Sequence, residues 1–364
     1  MDNHEKYMKR VLELAKGGWG RTNPNPLVGA VLVKDGEIIS EGFHEALGCA
    51  HAEINAFKNA GRDAAGSTLY VNLEPCSHYG RTPPCTKAII EAGIGQVVIA
   101  MEDPNPKVSG RGIKMLMNAG INVVTGVLEE EAKKLNEIFI KYITQKVPFV
   151  IMKTAMTLDG KIAAASGDSK WITGESSREY VHIMRDRVSA IMVGINTVIK
   201  DNPMLTARLP NKKSTDPVRI IVDSKGRIPP DSNVLNVLSN AGAILATTTA
   251  ITKEKEKKLS DKGVRLIKTE RKDGQVDLSL LMRELYKLEI DSVMVEGGGS
   301  LNYSCLQAGI VDKVMMFIAP KIIGGRSAVT PVEGEGIKLM KDAVRLKDVE
   351  VKRFDDDILI EGRI

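Results

Sequence analysis

Aromatic residues are scarce in this chain of 364 residues: Phe, Trp and Tyr together make up 4% of it. Proteins that bind single-stranded nucleic acid stack bases on aromatic side chains, so this scarcity argues against such a function. The chain also lacks a large excess of charge of either sign. It has 51 basic and 46 acidic residues, so the net charge is only +5. That mild excess suits a phosphorylated small substrate or an anionic cofactor, and we find no basic stripe of the kind that binds nucleic acid.

Long apolar runs are also missing, and none approaches the roughly 20 residues that a membrane-spanning helix needs. The first residues, MDNHEKYMKR, carry charges where a secretory signal would need an apolar stretch. We therefore expect a cytoplasmic location and no membrane partner. The chain has only 4 cysteines, and in a reducing compartment their use as metal ligands or catalytic groups is favoured over a disulfide.

The length exceeds that of one typical core and predicts two domains. We place them at 1–145 and 148–364. The segment QKVPF at 145–149 resembles a linker, because Pro148 ends a long helical pattern. Strands and helices alternate in the first domain, which predicts a mostly parallel sheet covered by helices. The last part of the chain reads as β-rich closing strands, which predicts an antiparallel edge.

The predicted elements follow from hydrophobic periodicity. In the first domain we expect helices at 3–16, from about 51, and at 84–92, 112–118 and 129–144, with strands at 29–33, 37–43, 68–73, 96–101 and 121–127. In the second domain we expect helices at 176–187 and 278–288, with strands at 190–194, 219–223, 243–247 and 292–295.

Two short stretches predict a metal site. The stretch CAHAEINA at 49–56 contains His51 and Glu53, and NLEPCSHYGRTPPC at 72–85 contains Cys76 and Cys85. An imidazole and two thiolates are good zinc ligands, and three protein ligands leave the fourth tetrahedral position for water, as in catalytic sites. Zinc lowers the pKa of bound water from about 16 to about 7. Glu53 would then move the proton of that water, a role worth roughly 10²- to 10⁴-fold.

Other interpretations of these residues remain open at this point. Cys76 and Cys85 could form a disulfide in an oxidising compartment, and His51 could be an ordinary helix histidine. His78 could replace one ligand, although the thiolate pair is the better set. Two prolines before Cys85 suit the first turn of a helix, whose dipole favours the thiolate that zinc needs. Cys49 and Cys305 have no evident partner and are expected to be packing residues.

The pattern H-x-E followed by P-C and a second cysteine resembles that of the zinc-dependent cytidine and nucleobase deaminases. The usual gap of two residues between the cysteines is here the longer SHYGRTPP, which matches the pyrimidine deaminase half of the bifunctional riboflavin-biosynthesis deaminase–reductases. The stretches NPNPLVGAVLV at 23–33 and DPNP…GRG at 103–112 share that resemblance. It implies a cytidine-deaminase-like three-layer α/β/α domain acting on a diaminopyrimidinone that carries a ribosylamine 5′-phosphate. It also implies four substrate contacts, at Asn25, His44, Arg81 and Asn105.

In the second domain the stretch VMVEGGGSLNYSCLQAG at 293–309 runs from a buried strand through glycines into a helix. Glycines allow close approach of a phosphate and a helix start supplies N–H donors, so a nucleotide is one possible occupant. A tight strand-to-helix turn is the other interpretation, because the spacing lacks the G-x-G-x-x-G fingerprint.

The stretches TLDGKIA…GDSKWITG and VGINTVIKDNPMLTAR resemble the reductase half of the same enzymes, over about 148–364. The resemblance implies a dihydrofolate-reductase-like α/β fold that uses NADPH to reduce the ribosyl group to ribityl. The cofactor residues it implies are Ala155, Trp171, Thr197, Asp201, Ser224, Gly297, Gly298, Gly299 and Ser300. The reductase substrate residues are Lys153, Ser169, Arg185, Leu205, Arg208 and Glu296, and either Lys153 or Asp201 would supply the proton.

The sequence therefore predicts a bifunctional, zinc- and NADPH-dependent enzyme of riboflavin biosynthesis, a hydrolase and an oxidoreductase in one chain. Its partner is a phosphorylated pyrimidine, with no nucleic acid, and the sequence leaves open whether it forms a homo-oligomer. Two rivals are a deaminase that edits nucleic acid, for which a basic groove would be needed, and a second domain that binds a ligand without catalysis.

Overall fold

The structure, a computed structural model, describes residues 3–79, 83–105, 108–210, 214–271 and 273–364. The chain divides into two compact units, Met1–Lys146 and Val147–Ile364. Within the described ranges, no helix combines the length and the apolar character that a membrane crossing requires.

The N-terminal unit is built on one five-stranded sheet. Its strands are β1 (Gly29–Lys34), β2 (Glu37–Phe43), β3 (Thr68–Leu73), β4 (Gln96–Met101) and β5 (Asn122–Thr125). They lie in the order β2-β1-β3-β4-β5, with β1 antiparallel to both of its neighbours and β3, β4 and β5 parallel.

The prediction of a mostly parallel sheet holds for four of the five strands, since β2, β3, β4 and β5 run in one direction, while β1 runs against them and is antiparallel to both of its neighbours. Strands β1 and β2 are joined by only Asp35 and Gly36, whose φ angles are +53° and +81°. Two consecutive residues with positive φ form the tight turn that matches the twist of an antiparallel hairpin, and Asp-Gly is a favoured pair for it. The turn residues therefore decide that β1 and β2 pair antiparallel.

Helices cover both faces of this sheet. They are α1 (Asn3–Ala15), α2 (Ala52–Ala60), α3 (Cys85–Glu91), α4 (Arg111–Asn118), α5 (Glu129–Leu135) and α6 (Glu137–Gln145). Side chains alternate between the faces of a strand. Accordingly, Leu32 of β1 packs in one core cluster with residues of α2, α3 and α4, while Val31 packs in a second cluster with residues of α1 and α5. This arrangement is the three-layer α/β/α architecture that the sequence predicted.

The prediction of a single helix at Glu129–Thr144 is wrong. The segment forms two helices, α5 and α6, which are separated at Asn136. Asn136 is only 2% exposed. Its Oδ1 accepts the backbone N–H of Leu27 at 2.8 Å, and its Nδ2 donates to the carbonyl of Leu27 at 3.0 Å. Because a side-chain amide can satisfy both backbone groups of one residue, Asn136 anchors the segment that leads into β1.

The C-terminal unit contains a nine-stranded sheet. Its strands are β6 (Phe149–Thr157), β7 (Ala190–Gly194), β8 (Val218–Val222), β9 (Ala243–Thr247), β10 (Arg265–Lys268), β11 (Ser292–Val295), β12 (Lys313–Ala319), β13 (Lys347–Phe354) and β14 (Asp357–Arg363). Their order is β10-β9-β8-β7-β11-β6-β12-β14-β13. All pairs from β10 to β12 are parallel, and β14 and β13 are antiparallel, so the predicted antiparallel edge is confirmed.

The helices of this unit are α7 (Glu175–Arg187), α8 (Ile195–Asp201), α9 (Asn233–Asn236), α10 (Lys253–Asp261), α11 (Leu278–Lys287) and α12 (Gly299–Gln307). The sequence interpretation did not include α10 or β10. Helix α10 buries only Leu259 among charged residues, so it lacks the apolar stripe that makes a helix visible in a sequence.

Successive strands β7 to β10 move toward one edge, and β11 then returns to lie between β7 and β6. The order of strands therefore reverses beside β7 and β11. In open parallel sheets, ligands bind at the carboxyl ends of the strands where such a reversal occurs. The segments that follow β7, β8 and β11 are therefore expected to line a ligand site in this unit.

We predict that Asn136→Ala weakens the N-terminal unit by about 1–3 kcal/mol, because the buried N–H of Leu27 would lose its acceptor. The measurement is native-state hydrogen exchange of the β1 and β3 amides in the full-length chain. Asn118→Ala, on the exposed face of α4, is the matched control and should leave those amides unchanged. Equal protection in both variants would contradict the anchoring role of Asn136.

Candidate functional site

Three side chains of the N-terminal unit converge as the sequence predicted for a metal site. His51 directly precedes α2, Cys76 lies in the loop after β3, and Cys85 is the first residue of α3. The Nδ1 atom of His51 is 3.2 Å from the Sγ of Cys85 and 3.6 Å from the Sγ of Cys76. The three ligand atoms all lie within 4.8 Å of one another.

Local hydrogen bonds hold the two cysteines together. The backbone N–H of Cys85 donates to the Sγ of Cys76 at 3.2 Å, and the N–H of Thr86 donates to the carbonyl of Cys76 at 3.2 Å. These donors belong to the first turn of α3, whose N–H groups have no partner within the helix. The start of α3 is thereby docked on the loop that carries the other sulfur.

The spacing of these atoms fits a tetrahedral zinc ion. With Zn–N distances of about 2.0–2.1 Å and Zn–S distances of about 2.3 Å, tetrahedral angles place a nitrogen and a sulfur about 3.5 Å apart. The observed separations of 3.2 and 3.6 Å bracket that value. All four cysteines are free, and in the described part of the chain the metal-competent group consists of these three residues alone. A fourth position is left for water or substrate.

A hydrogen bond between the two sulfurs shifts the pKa values of Cys76 and Cys85 in opposite directions. A hydrogen bond from the thiol of Cys85 lowers the pKa of Cys76 to about 4. The same bond, together with burial, raises the pKa of Cys85. Hydrogen bonding to Cys76 also raises the pKa of His51. A divalent cation at this position would replace the proton between the two sulfurs, since zinc binds thiolates and neutral imidazole.

Glu53 lies beside this centre without being one of its ligands. It is the second residue of α2 and is 3% exposed. Burial raises the pKa of its carboxyl group, and the positive charge of His51 counteracts only part of that effect. This upward shift of the pKa is in the direction that suits a carboxyl group that must both accept and return a proton.

Of the four residues expected to contact the deaminase substrate, Asn25 and His44 lie together. The Nδ2 of Asn25 is 3.3 Å from the Nε2 of His44, and the ring of His44 is 5.6 Å from the ring of His51. Burial lowers the pKa of His44 and so favours its neutral form. Asn105 lies in the loop after β4, where its N–H donates to Asp103, and Arg81 lies outside the described residues.

Glu74 is a further residue of this region that the sequence interpretation did not single out. Its carboxylate, 3% exposed, accepts four backbone N–H groups, from Asp103, Gly110, Gly112 and Ile113. A side chain at Gly112 would collide with the carbonyl of Pro75. The loop after β4 is therefore fastened to the strand end that carries Cys76. The sequence signal that could have identified Glu74 is an acidic residue placed directly after a buried strand.

Cys49, Cys305 and His78 do not belong to the metal-competent group of His51, Cys76 and Cys85. Cys305 is fully buried in α12, as expected of a packing residue, but Cys49 is exposed, so its assignment to packing is wrong. Cys49 lies in an irregular loop where neighbouring residues also reach the surface. His78 is exposed and does not belong to the metal-competent group.

The C-terminal unit has a cavity of about 580 Å³ at the carboxyl ends of β7, β8 and β11. This volume lies in the range of sites that take small molecules and cofactors. Several residues predicted to bind a cofactor line it: Thr197, Asp201, Ser224, Gly298, Gly299 and Ser300. Ser169, predicted to meet the substrate, lines it as well, whereas Ala155, Trp171 and Gly297 do not belong to the lining.

The glycine segment combines an open backbone with tight packing. A side chain at Gly298 would meet nothing within 4 Å, so a ligand can approach this backbone closely. At Gly299 it would lie 2.6 Å from the carbonyl of Thr330, so this glycine is required by packing. The carboxylate of Glu333 accepts the hydroxyl of Ser300 at 2.6 Å, which places an anionic group at the start of α12. The packing at Gly299 confirms the tight strand-to-helix turn, and the open space at Gly298 is compatible with the predicted nucleotide site, which stays a prediction.

Three of the predicted substrate residues form a buried charged cluster. Arg185 donates to both carboxylate oxygens of Glu296, at 2.7 and 2.8 Å, and the Nζ of Lys153 is 3.9 Å from Glu296. Burial alone would raise the pKa of Glu296, but the charge and hydrogen bonds of Arg185 outweigh it and bring the pKa to about 2. Burial lowers the pKa of Lys153, which makes that ammonium group a readier proton donor.

Arg208 and Leu205 lie next to this cluster through one short segment. Arg185 donates to the carbonyl of Thr206, and Arg208 donates to the hydroxyl of the same residue at 2.9 Å. Leu205 is buried and has a φ of +56°, a conformation that non-glycine residues seldom adopt. The backbone after α8 is thereby turned so that Arg208 comes near Arg185.

The cavity also has cationic and polar lining residues that the sequence interpretation missed: Asn196, Lys200, Lys225, Arg227 and Gln275. Lys225 and Arg227 lie in the loop after β8, and Asn196 and Lys200 lie in α8, which begins directly after β7. Their position at strand ends was the signal that could have identified them.

The comparisons with known proteins cover both units. Residues 148–360 match the family model described as RibD C-terminal domain. Residues 1–101 match the model of the cytidine and deoxycytidylate deaminase zinc-binding region.

Similar proteins extend over nearly the whole chain. The riboflavin biosynthesis protein RibD of Actinobacillus pleuropneumoniae is 49% identical over 98% of this chain and 94% of its own length. The structure of Acinetobacter baumannii RibD, form 1, has a TM-score of 0.90 at 38% identity and covers 99% of this chain and 98% of that one. A diaminohydroxyphosphoribosylaminopyrimidine deaminase/5-amino-6-(5-phosphoribosylamino)uracil reductase from Thermotoga maritima has a TM-score of 0.86 at 44% identity, with coverage of 99% and 98%.

We predict that Cys85→Ser loses bound zinc, because a neutral hydroxyl is a poor substitute for a thiolate ligand. Metal analysis of the purified variant after dialysis should show near-complete loss, while the wild type keeps about one ion per chain. Cys49→Ser, at an exposed cysteine, is the control and should keep its zinc. Stoichiometric zinc in Cys85→Ser, with a native circular dichroism spectrum, would contradict the ligand set.

Proposed function

The chain belongs to the RibD family of bifunctional riboflavin-biosynthesis enzymes, and from this premise we propose how its residues divide the two reactions. It is a zinc-dependent deaminase and an NADPH-dependent reductase in one polypeptide. We assign the deaminase to 1–145 and the reductase to 148–364. The observation that carries the first assignment is the His51, Cys76 and Cys85 group with Glu53 beside it.

We propose that the substrates are those in the name of the Thermotoga relative: a diaminohydroxyphosphoribosylaminopyrimidine for the deaminase and a 5-amino-6-(5-phosphoribosylamino)uracil for the reductase. Both are phosphorylated pyrimidines, and the product of the first reaction is the substrate of the second. A shared intermediate explains why two such sites occur on one chain. We also propose a cytoplasmic location, since a reducing compartment keeps Cys76 and Cys85 available as thiolates.

In the deaminase reaction a carbon–oxygen bond to the ring forms and the carbon–nitrogen bond to the ring amine breaks. Bound at His51, Cys76 and Cys85, zinc supplies a Lewis acid that makes water a nucleophile near neutral pH. Glu53 accepts the proton that water releases and returns it to the departing amine. Its burial supports this role, because burial raises the pKa of the carboxyl group, the direction that favours a group that takes up and returns a proton.

Substrate binding in this unit falls to the residues around the metal centre. Neutral His44 and the amide of Asn25 can donate and accept hydrogen bonds to a heterocycle or sugar. Asn105 would contribute from the loop that Glu74 fastens, and Arg81 would meet the 5′-phosphate, since guanidinium and phosphate pair in a bidentate manner.

We predict that Glu53→Gln keeps zinc but lowers the kcat of deamination about 10²- to 10⁴-fold, because the amide cannot carry the proton. The assay follows the product formed from the diaminopyrimidinone nucleotide, with metal analysis of the same sample. Reductase activity of the variant on the deaminated substrate is the internal control and should be retained. Normal deamination by Glu53→Gln would overturn the proposed proton transfer.

In the reductase reaction NADPH supplies the hydride, and the protein has to align it and deliver a proton. We propose Lys153 as the proton donor. Its ammonium group is enclosed next to Glu296 and Arg185, and burial lowers its pKa, whereas Asp201 is exposed at the end of α8. Arg185 and Arg208 would hold the sugar phosphate, and Ser169, Leu205 and Glu296 would complete the substrate contacts.

For the cofactor we propose the predicted set of residues in and beside the cavity: Ala155, Trp171, Thr197, Asp201, Ser224, Gly297, Gly298, Gly299 and Ser300. The six of them that line the cavity support this assignment most directly.

We predict that Lys153→Met lowers the kcat of the reductase about 10²- to 10⁴-fold, because the proton donor is lost. NADPH binding, followed by fluorescence, and deamination should both be preserved. Lys287→Met, at an exposed lysine of α11, is the matched control. A loss of kcat in Asp201→Asn but not in Lys153→Met would assign the proton to Asp201 instead.

The matches over both units disfavour the two rival functions. A nucleic-acid-editing deaminase with an unrelated tail would not share 49% identity over 98% of the chain with a riboflavin biosynthesis protein. The match of residues 148–360 to the RibD C-terminal domain disfavours a C-terminal unit without catalysis. The test of that rival is NADPH consumption when the deaminated substrate is supplied, because a non-catalytic unit would consume none.

A further inference from the structure

We propose that His182 is a positioning residue of the reductase, which holds Arg208 in place to bind the phosphate of the phosphoribosyl substrate. This inference rests on the proposed function, in which Arg208 meets the sugar phosphate. His182 is not among the residues that the sequence resemblance implies, and only the structure brings it to this site.

His182 lies on α7, three residues before Arg185. Side chains three positions apart lie on the same side of a helix, so the imidazole of His182 is a neighbour of the buried cluster that Arg185 forms with Glu296. The half-buried ring also faces the segment after α8, which carries Arg208. His182 therefore stands between the helix and the segment that supply the two predicted arginine contacts to the substrate.

The ring contacts Arg208 at both the backbone and the side chain of that residue. The backbone N–H of Arg208 is 3.2 Å from the Nδ1 of His182, and the Nη2 of its guanidinium is 3.3 Å from the Nε2. A neutral imidazole has one acceptor nitrogen and one N–H. Whichever nitrogen carries the proton, the ring accepts a hydrogen bond from Arg208, at the guanidinium in one tautomer and at the backbone in the other.

The surroundings of His182 keep the ring in its neutral form. Burial and the positive charges of Arg185 and Arg208 lower the pKa of His182 to about 4, although Glu296 and the backbone of Thr206 act in the opposite direction. These groups face the ring from α7, from the segment after α8 and from the end of β11. Because an imidazolium ion has no acceptor nitrogen, only the neutral ring can hold Arg208.

The guanidinium of Arg208 is held by neutral groups only. Its Nη1 donates to the hydroxyl of Thr206 at 2.9 Å, and among the described residues no carboxylate pairs with it. Arg185, by contrast, donates to both carboxylate oxygens of Glu296. Of the two arginines, Arg208 is therefore the one whose charge is not compensated, and a guanidinium in this state suits a phosphate.

The backbone that carries Arg208 is fixed from its other side. The N–H of Ala207 donates to Asp216 at 2.9 Å, and the carbonyl of Ala207 accepts the hydroxyl of Ser214 at 2.7 Å. The contribution of His182 is thus to restrain the long side chain of Arg208 on a backbone that is already in place. Restraining a flexible side chain before a ligand arrives raises affinity, because less entropy is lost on binding.

The first test measures reductase kinetics of His182→Phe in the full-length enzyme, since phenylalanine keeps a ring and has no acceptor nitrogen. The KM for the deaminated substrate should rise about 10-fold, the effect of one hydrogen bond to a charged group, while kcat and the KM for NADPH change by less than about 2-fold. His182→Gln, whose amide oxygen can accept from the guanidinium, should restore most of the affinity. His4→Phe, the same change in the N-terminal unit, is the control and should match the wild type.

A double-mutant cycle tests whether His182 acts through Arg208. Arg208→Gln should raise the KM for the deaminated substrate by itself, and adding His182→Phe should have little further effect, because no guanidinium remains to be positioned. Additive losses from the two substitutions would show that His182 acts independently and would overturn the proposal.

An NMR titration examines the same contact without catalysis. The chain has 5 histidines, so the ring resonances of His182 can be identified by their loss in His182→Phe. The pKa of His182 should rise in Arg208→Gln, because a positive charge that disfavours the protonated ring is removed. An identical titration in both proteins would contradict the contact.

The outcomes separate this inference from the proposed function. An active wild type whose KM is unchanged in His182→Phe would overturn the positioning role of His182 and leave the reductase assignment intact. A wild type that oxidises no NADPH with the deaminated substrate would refute the reductase, while the NMR titration would still report whether His182 holds Arg208.

Discussion

Parallel β-strands present their carboxyl ends at one edge of a sheet, and the chemistry of both units depends on that constraint. In the N-terminal unit Cys76 follows β3 and Asn105 follows β4, and these two strands are parallel neighbours. In the C-terminal unit the cavity is lined from the ends of β7, β8 and β11. Because adjacent strand ends lie about 4.8 Å apart, residues far apart in the sequence are brought to one site by the sheet alone.

Buried charges that support the structure are compensated, whereas two exposed charges that line the cavity have no partner of opposite charge among the described residues. The carboxylate of Glu74 is surrounded by four backbone N–H groups, and that of Glu296 is held by Arg185. These groups have partners because an unpaired buried charge is costly. Lys225 and Arg227 differ, since they face a cavity and no carboxylate neutralises them within the described residues. The contrast separates groups that position loops from groups that can receive an anion.

Much of the fold was predictable because buried strands leave a strong local signal. Strands such as Glu37–Phe43 and Ala190–Gly194 were predicted with the bounds that the structure has. Predictions failed where a distant partner decides the outcome. The helix from Glu129 is interrupted at Asn136 because that side chain bonds to Leu27, more than a hundred positions earlier. The antiparallel pairing of β1 with β2 followed from Asp35 and Gly36, a signal that was present in the sequence and was missed.

The sequence by itself determined which side chains could bind the metal, because His51, Cys76 and Cys85 are of the right types and Glu53 lies two positions from a ligand. It also determined the resemblance that names the two reactions. Only the tertiary structure decided that Asn25 meets His44, that Glu74 fastens the loop after β4, and that His182 contacts Arg208 while Lys225 and Arg227 face the cavity. The physical reason is that residue type sets which bonds a group can make, whereas packing between distant segments sets which of those bonds are formed.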